Sequence, residues 1–146
     1  MNVDLRNRQR LLRVDPRLLK ALTKHALELA GASANYELSI VLVNDASIAN
    51  LNSQYHATSG PTDILSFDYG EGQGELIISV EHVVANARRF RTTPARELAR
   101  YVAHGILHLH GYDDRTARQR TRMRAAERRL LNRIESSVHL TTLVRQ

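Results

Sequence analysis

The sequence predicts a fold of the α/β (α+β) class, a small mixed β-sheet with helices packed against it and a histidine-bearing helix near its centre. Two observations predict it. Short runs with the alternation or continuous apolarity of strands lie between longer segments with the 3.6-residue period and capping residues of helices. The chain has 146 residues, the size of one domain with a real hydrophobic core, and shows no internal repeat and no composition break that would divide it.

Taken in order, the arginine-rich opening predicts a short strand near Gln9–Val14. Asp15-Pro16 then reads as a cap and a first helical position, and Leu18, Leu19, Leu22, Ala26 and Leu29 recur at helical spacing up to Gly31. Tyr36–Val43 begins with alternation and ends continuously apolar, as a strand does when it becomes buried on both faces. Asn44-Asp45 caps a helix whose inward stripe is Ile48, Leu51 and Tyr55, and Ala57–Pro61 reads as a polar loop. Ile64–Phe67 and Glu75–Val80 read as two strands joined by a glycine-rich turn over Tyr69–Gly74. A helix over Glu81–Phe90 follows. Thr93 and Pro94 then open a further helix, with Leu98, Val102, Ile106 and Leu109 on an apolar stripe and Glu97, Tyr101, His104 and His108 on the face that addresses a site. Arg115–Arg133 reads as a last helix with an extensive basic face, and residues 136–146 as a tail.

Composition narrows the function. Without cysteine, disulfides and thiolate metal sites are excluded, so a metal would need histidine, carboxylate or water. With no tryptophan and few aromatic residues, base stacking is not the main mode of recognition. No apolar run approaches the roughly 20 residues of a membrane span, and the first residues lack an apolar signal-peptide core. A cytoplasmic protein is the expectation. A net charge of +6 and a pI near 10.3 favour polyanionic partners such as nucleic acid.

The stretch His104-Gly105-Ile106-Leu107-His108-Leu109-His110-Gly111-Tyr112-Asp113-Asp114 carries the chemistry. Residues four apart share a helix face, so His104 and His108 present two imidazoles to one point. Gly111 ends the helix and turns the chain back, which brings Tyr112, Asp113 or Asp114 towards that point as an oxygen donor. The competing reading is a polar helix end, with Asp114 capping the next helix. Gly105 stands where the H-E-x-x-H peptidases carry their glutamate base, so peptide hydrolysis by that route is disfavoured, and close backbone packing is the reason expected for a glycine there. His110, two residues from His108, points off the metal face; it, His25, His82 and His139 read as ordinary histidines. Spacing alone reaches as far as a metal-assisted hydrolase.

These residues resemble the YbeY endoribonuclease and rRNA maturation family, whose signature is H-G-x-L-H-L-x-G-Y-D-H. Two further blocks are similar to the family's P-T-[DN]-V-L-S-F and L-G-[DE]-[IL]-x-I-S: Pro61-Thr62-Asp63-Ile64-Leu65-Ser66-Phe67 and Gly74-Glu75-Leu76-Ile77-Ile78-Ser79. The resemblance covers about residues 36–135 and implies the same mixed α/β fold. It implies a metal-dependent, single-strand-specific endoribonuclease of ribosomal RNA processing, including maturation of the small-subunit 3′ end, and of ribosome quality control. Its partners would be ribosomal RNA and ribosome or small-subunit proteins.

His104, His108 and Asp114 would be the metal ligands, for zinc or for manganese or another divalent ion. Asp114 replaces the family's third histidine, and His56 stands where the family has an arginine implicated in activity. His56 is the catalytic candidate, or simply a histidine that ends a helix. Ser66 and Glu75 are expected to line or back the cleft, and Arg115, Arg118 and Arg122 to hold RNA phosphates unless the helix face is merely solvated. A second reading is a ribosome-associated assembly factor with a structural metal and little catalysis.

Overall fold

The structure is a computed structural model that describes residues 1–56 and 63–145, giving only the backbone for residues 52–56. The polar loop expected over Ala57–Pro61 lies outside the described residues. Four strands form the main sheet in the order β1(Asn2–Asn7), β3(Glu37–Val43), β5(Gln73–Ser79), β4(Ile64–Gly70). The pairs β1·β3 and β3·β5 are parallel, and β4 runs antiparallel to β5. The predicted mixed sheet and the predicted hairpin are therefore present.

One face of the sheet carries the main core. Helices α1(Pro16–Leu29), α4(Pro94–Leu109) and α5(Ala117–Ser137) contribute Leu19, Leu22, Leu98, Val102, Ile106, Leu130 and Ile134 to it, and α3(Val80–Arg89) adds Val80 and Val83. On the other face, Val41, Val43, Leu65 and Ile77 form a smaller cluster with Ile48 of α2(Asp45–His56). Because this second cluster holds Val41 and Val43 but not Ser39, β3 alternates at its start and is continuously apolar at its end.

Local chemistry starts α1, α2 and α4 where the sequence places them. The Asp15 carboxylate accepts from the Arg17 and Leu18 amides, the Asn44 side chain from Ser47, and the Thr93 hydroxyl from Arg96. The first turns of α2 and α3 are tied together. Glu81 Oε1 accepts the Asp45 amide at 2.9 Å, and Asp45 Oδ1 meets both His82 Nδ1 and the Ser79 hydroxyl. His82, read as ordinary, is thus part of an interhelix clasp.

Two expectations are corrected. In place of a strand over Gln9–Val14, the chain forms β1 over Asn2–Asn7 and a two-residue β2(Arg13–Val14). The β1 signal is weak because it is an edge strand with only Val3 buried. Gln9 belongs to a loop in which its side chain bonds both the amide and the carbonyl of Leu12. Nor do residues 136–145 hang free. Ser136 and Ser137 complete α5, Leu140–Thr142 make one 3-10 turn, Leu143 is fully buried, and β6(Val144–Arg145) pairs antiparallel with β2. A lone leucine carries too little periodic pattern to announce that burial.

The helix α4 crosses the sheet at Gly105. A Cβ there would come within 2.5 Å of the Leu76 side chain and 3.1 Å of Ile64, and Leu76 is fully buried. The close packing anticipated for this glycine is present. Alanine would gain about 1 kcal/mol of helix propensity but overpack a closed site at a cost of about 1–3 kcal/mol. Gly105→Ala is expected to lower the urea midpoint, and Gly105→Val to lower it further, as equilibrium denaturation will measure.

Candidate metal centre

The far end of α4 delivers two imidazoles. His104 and His108, one turn apart, have ring centroids 4.7 Å apart with the rings edge to face. Beyond them Gly111 adopts φ 101°, with the Tyr112 amide bonded to the Leu107 carbonyl and the Gly111 amide to His108. That pair of bonds is the Schellman ending, which reverses the chain. Asp114 thereby returns to the helix end it has just left.

The cap of α5 is Thr116. Its hydroxyl accepts the Gln119 amide while the Gln119 side chain accepts the Thr116 amide, a complete capping box. The capping alternative for Asp114 does not hold, and its carboxylate is available to the histidines. Arg120 fixes the turn from outside by donating Nη1 to the Asp114 and Arg115 carbonyls.

Asp114 Oδ2 lies 3.3 Å from His108 Nε2 and 3.9 Å from His104 Nε2, and the three donor atoms fall within 4.8 Å of one another. Ligands at about 2.0–2.2 Å from a tetrahedral ion stand roughly 3.3–3.6 Å apart, so this trio fits a divalent metal with little adjustment. Two imidazoles and one carboxylate are also a known catalytic zinc donor set, which leaves a position for water. Side-chain exposures of 22% and 23% for the histidines and 45% for Asp114 place the cluster half in the protein and half at its surface.

A polar strip runs beneath the ligands between α4 and α5. Glu127 Oε1 meets His104 Nδ1, and Glu127 Oε2 lies 3.4 Å from Arg100 Nη1. Arg100 also donates Nε and Nη2 to the two oxygens of Glu97, each at 2.9 Å. That bond to Glu97, reinforced by both carboxylate charges against the opposing effect of burial, pushes the guanidinium pKa further above its ordinary value. Tyr101 accepts from the Asn86 side chain, and burial is the main cause of its raised phenol pKa. Glu97 and Tyr101 were expected to address the site. They are buried instead, because α3 and α5 cover the first half of this helix face.

Glu127, Arg100 and Arg120 were missed. A signal for the first existed: Glu127 lies four residues from both Met123 and Leu131, on the buried stripe of α5, where an acid needs a reason.

Of the other candidates, His56 ends α2, and its side chain lies outside the described residues. Ser66 pairs with Leu76, which meets Gly105, so Ser66 shares the sheet face that α4 covers. Glu75 points to the opposite face and accepts a 2.6 Å bond from the Tyr69 hydroxyl, so the structure does not bring it to the histidines. Arg115, Arg118 and Arg122 are exposed in the turn and first turns after Asp114; Arg122 lines a 270 Å³ cleft with Tyr112, Asp113 and Gln119. His110 donates Nδ1 to the Ile106 carbonyl and packs on Tyr36, away from the trio as its position predicts.

Comparison with known proteins shows the family and the fold. The family model described as endoribonuclease YbeY matches residues 4–135. Among curated relatives, an endoribonuclease YbeY of Pelotomaculum thermopropionicum is 35% identical over 148 aligned residues, covering 92% of this chain and 97% of the relative. One of Symbiobacterium thermophilum is 36% identical over 129, covering 78% and 83%. The solution structure of TM1509 from Thermotoga maritima superposes with a TM-score of 0.65 at 27% identity, covering 92% of this chain and 89% of that one.

A ligand that binds only the folded state stabilises it by about 2.7 kcal/mol at one hundred times its Kd. Zinc at that excess is expected to raise the melting temperature of the wild-type protein. The increment should vanish in His108→Ala and Asp114→Ala, as differential scanning fluorimetry with and without the ion will show.

Proposed function

We propose, from the premise that this chain belongs to the YbeY endoribonuclease family, that it is a metal-dependent, single-strand-specific endoribonuclease. We assign it to ribosomal RNA processing in the cytoplasm, including small-subunit 3′-end maturation and ribosome quality control. Its substrate is then ribosomal RNA, and its partners are proteins of the ribosome or small subunit. The observation that carries the metal dependence is the convergence of His104 Nε2, His108 Nε2 and Asp114 Oδ2 at a partly exposed helix end.

In this reading His104, His108 and Asp114 hold one divalent ion, zinc by the softness of the two imidazoles, with manganese as the competitor that the carboxylate favours. When bound, the ion supplies an activated water or hydroxyl and positive charge at the phosphate. The protein does the remainder. Gly105 keeps α4 seated on the sheet, so the two imidazoles sit on a rigid element. The exposed Arg115, Arg118 and Arg122 lie in the turn after Asp114 and the first turns of α5, so phosphates held there place an adjoining strand near the trio. An extended single strand offers its phosphates and sugar hydroxyls to such a surface with no pairing to undo.

The test couples metal content to cleavage. Wild-type protein is expected to carry about one divalent ion and to cut an RNA with single-stranded ends. Chelation, His108→Ala and Asp114→Ala should each abolish both properties. Metal retained with no RNA cut by any form would favour an assembly factor with a structural ion.

Two further outcomes follow from charge. A carboxylate leaves the ion one positive charge fewer than a third imidazole would, so Asp114→His is expected to shift preference from manganese towards zinc in a competition titration. Each of Arg118→Ala and Arg122→Ala should weaken RNA binding and flatten the salt dependence by about one unit of slope, measured by fluorescence anisotropy across a salt series.

A further inference from the structure

We propose that Glu127 is a positioning residue: anchored by Arg100, its carboxylate fixes the tautomer and ring orientation of His104, so that Nε2 is the nitrogen offered to the site. The inference rests on the metal-centre reading above and deepens it.

Glu127 projects from α5 into the seam with α4 and is 7% exposed. A buried carboxylate is tolerated only when its charge is paired and its oxygens are bonded. Both oxygens here are engaged, Oε1 with His104 Nδ1 and Oε2 with Arg100 Nη1. Arg100 is itself held by two bonds to Glu97, a residue 3% exposed, so the group that anchors Glu127 is fixed in turn. The order of support runs from Glu97 to Arg100 to Glu127 to His104.

The chemical consequence follows from donor counting. An ionised carboxylate only accepts, so the bond to Nδ1 requires the hydrogen to sit on Nδ1. In a neutral imidazole the lone pair is then on Nε2, the atom that faces Asp114 Oδ2. A half-turn of the ring about its Cβ–Cγ bond would break the Glu127 contact and carry Nε2 away from the trio. The His108 ring stands edge to face against His104, so holding one ring also limits the other. Carboxylate contacts of this kind orient metal-binding histidines and raise their basicity. A purely structural role would be different: Glu127 would then clamp α4 to α5 and leave the imidazole free to choose its tautomer.

The two roles separate in the metal-free protein. Long-range proton–nitrogen correlation spectra of histidine-labelled protein report which ring nitrogen of His104 carries hydrogen. At a pH high enough for the imidazole to be neutral, wild type is expected to show the Nδ1–H form alone. Glu127→Ala should show a mixture or the Nε2–H form, and Glu127→Gln, nearly the same size and able to accept or donate, should show a partial shift. Zinc affinity, measured by competition with a chromophoric chelator, should fall about 10- to 100-fold in Glu127→Ala and less in Glu127→Gln.

An unchanged tautomer and an affinity within about two-fold of wild type, with only the melting temperature lowered, would overturn the proposal in favour of the clamp. If Glu127→Ala does not fold, Glu127→Met, which fills similar space but offers Nδ1 only a weak thioether acceptor, carries the same decision. Failure of the wild-type protein to bind zinc would instead overturn the metal reading, and the tautomer measurement, made without metal, would still decide the role of Glu127.

Discussion

The close approach of α4 to the sheet at Gly105 is the constraint on which the rest of the molecule depends. With no side chain at that position, Leu76 and Ile64 press against the helix backbone. The crossing sets where the helix lies over β4 and β5, and the helix then carries His104 and His108 outward from the core by fixed steps. Leu98, Val102 and Ile106, all fully buried, secure the same helix along its length. A site built on such an element inherits the low compressibility of a packed core. The third candidate donor, Asp114, comes from the chain that leaves the helix, and the reversal at Gly111 returns it.

The second organising feature is electrostatic. α5 divides its length between a buried stripe, Met123, Ala126, Leu130, Leu131 and Ile134, and an exposed arginine face. Glu127 breaks the apolar stripe, and Glu97 breaks the matching seam of α4; Arg100 lies between the two acids. Buried charge networks of this type seldom add net stability compared with well-packed apolar residues, so their presence asks for another reason. Here the network ends on His104 of the candidate metal centre, which offers one. The same helix therefore places a carboxylate beneath the candidate trio and exposed guanidinium groups outside it.

Charge also distinguishes this site from the three-histidine pattern its sequence resembles. Asp114 supplies a negative oxygen in a protein of net charge +6, on a turn that Arg120 clasps through two carbonyls. The neighbouring arginines offset the carboxylate towards an approaching polyanion, while the ion itself would feel a harder and more anionic donor set. Two replacements separate the chain from the family pattern, at Asp114 and His56, and the first is accommodated by the fold without loss of a donor.

What short-range physics controls was legible in the chain. Helical period, caps and glycine punctuation located α1 to α5, the hairpin of β4 and β5, and the turn that returns Tyr112, Asp113 or Asp114 towards His104 and His108, because each depends on residues within a few positions of one another; the choice of Asp114 came from the family resemblance. The sequence did not disclose β1, an edge strand with one buried side chain, or the docking of Leu143 and β6, which is a matter of distant partners. Nor did it assign Glu127, Arg100 and Arg120 to the site, or send Glu75 to the opposite sheet face. Those placements rest on the packing of α5 against α4 and on strand register, and contacts between residues 23 positions apart leave no period in the chain. Tertiary structure alone decided which buried acid meets which imidazole.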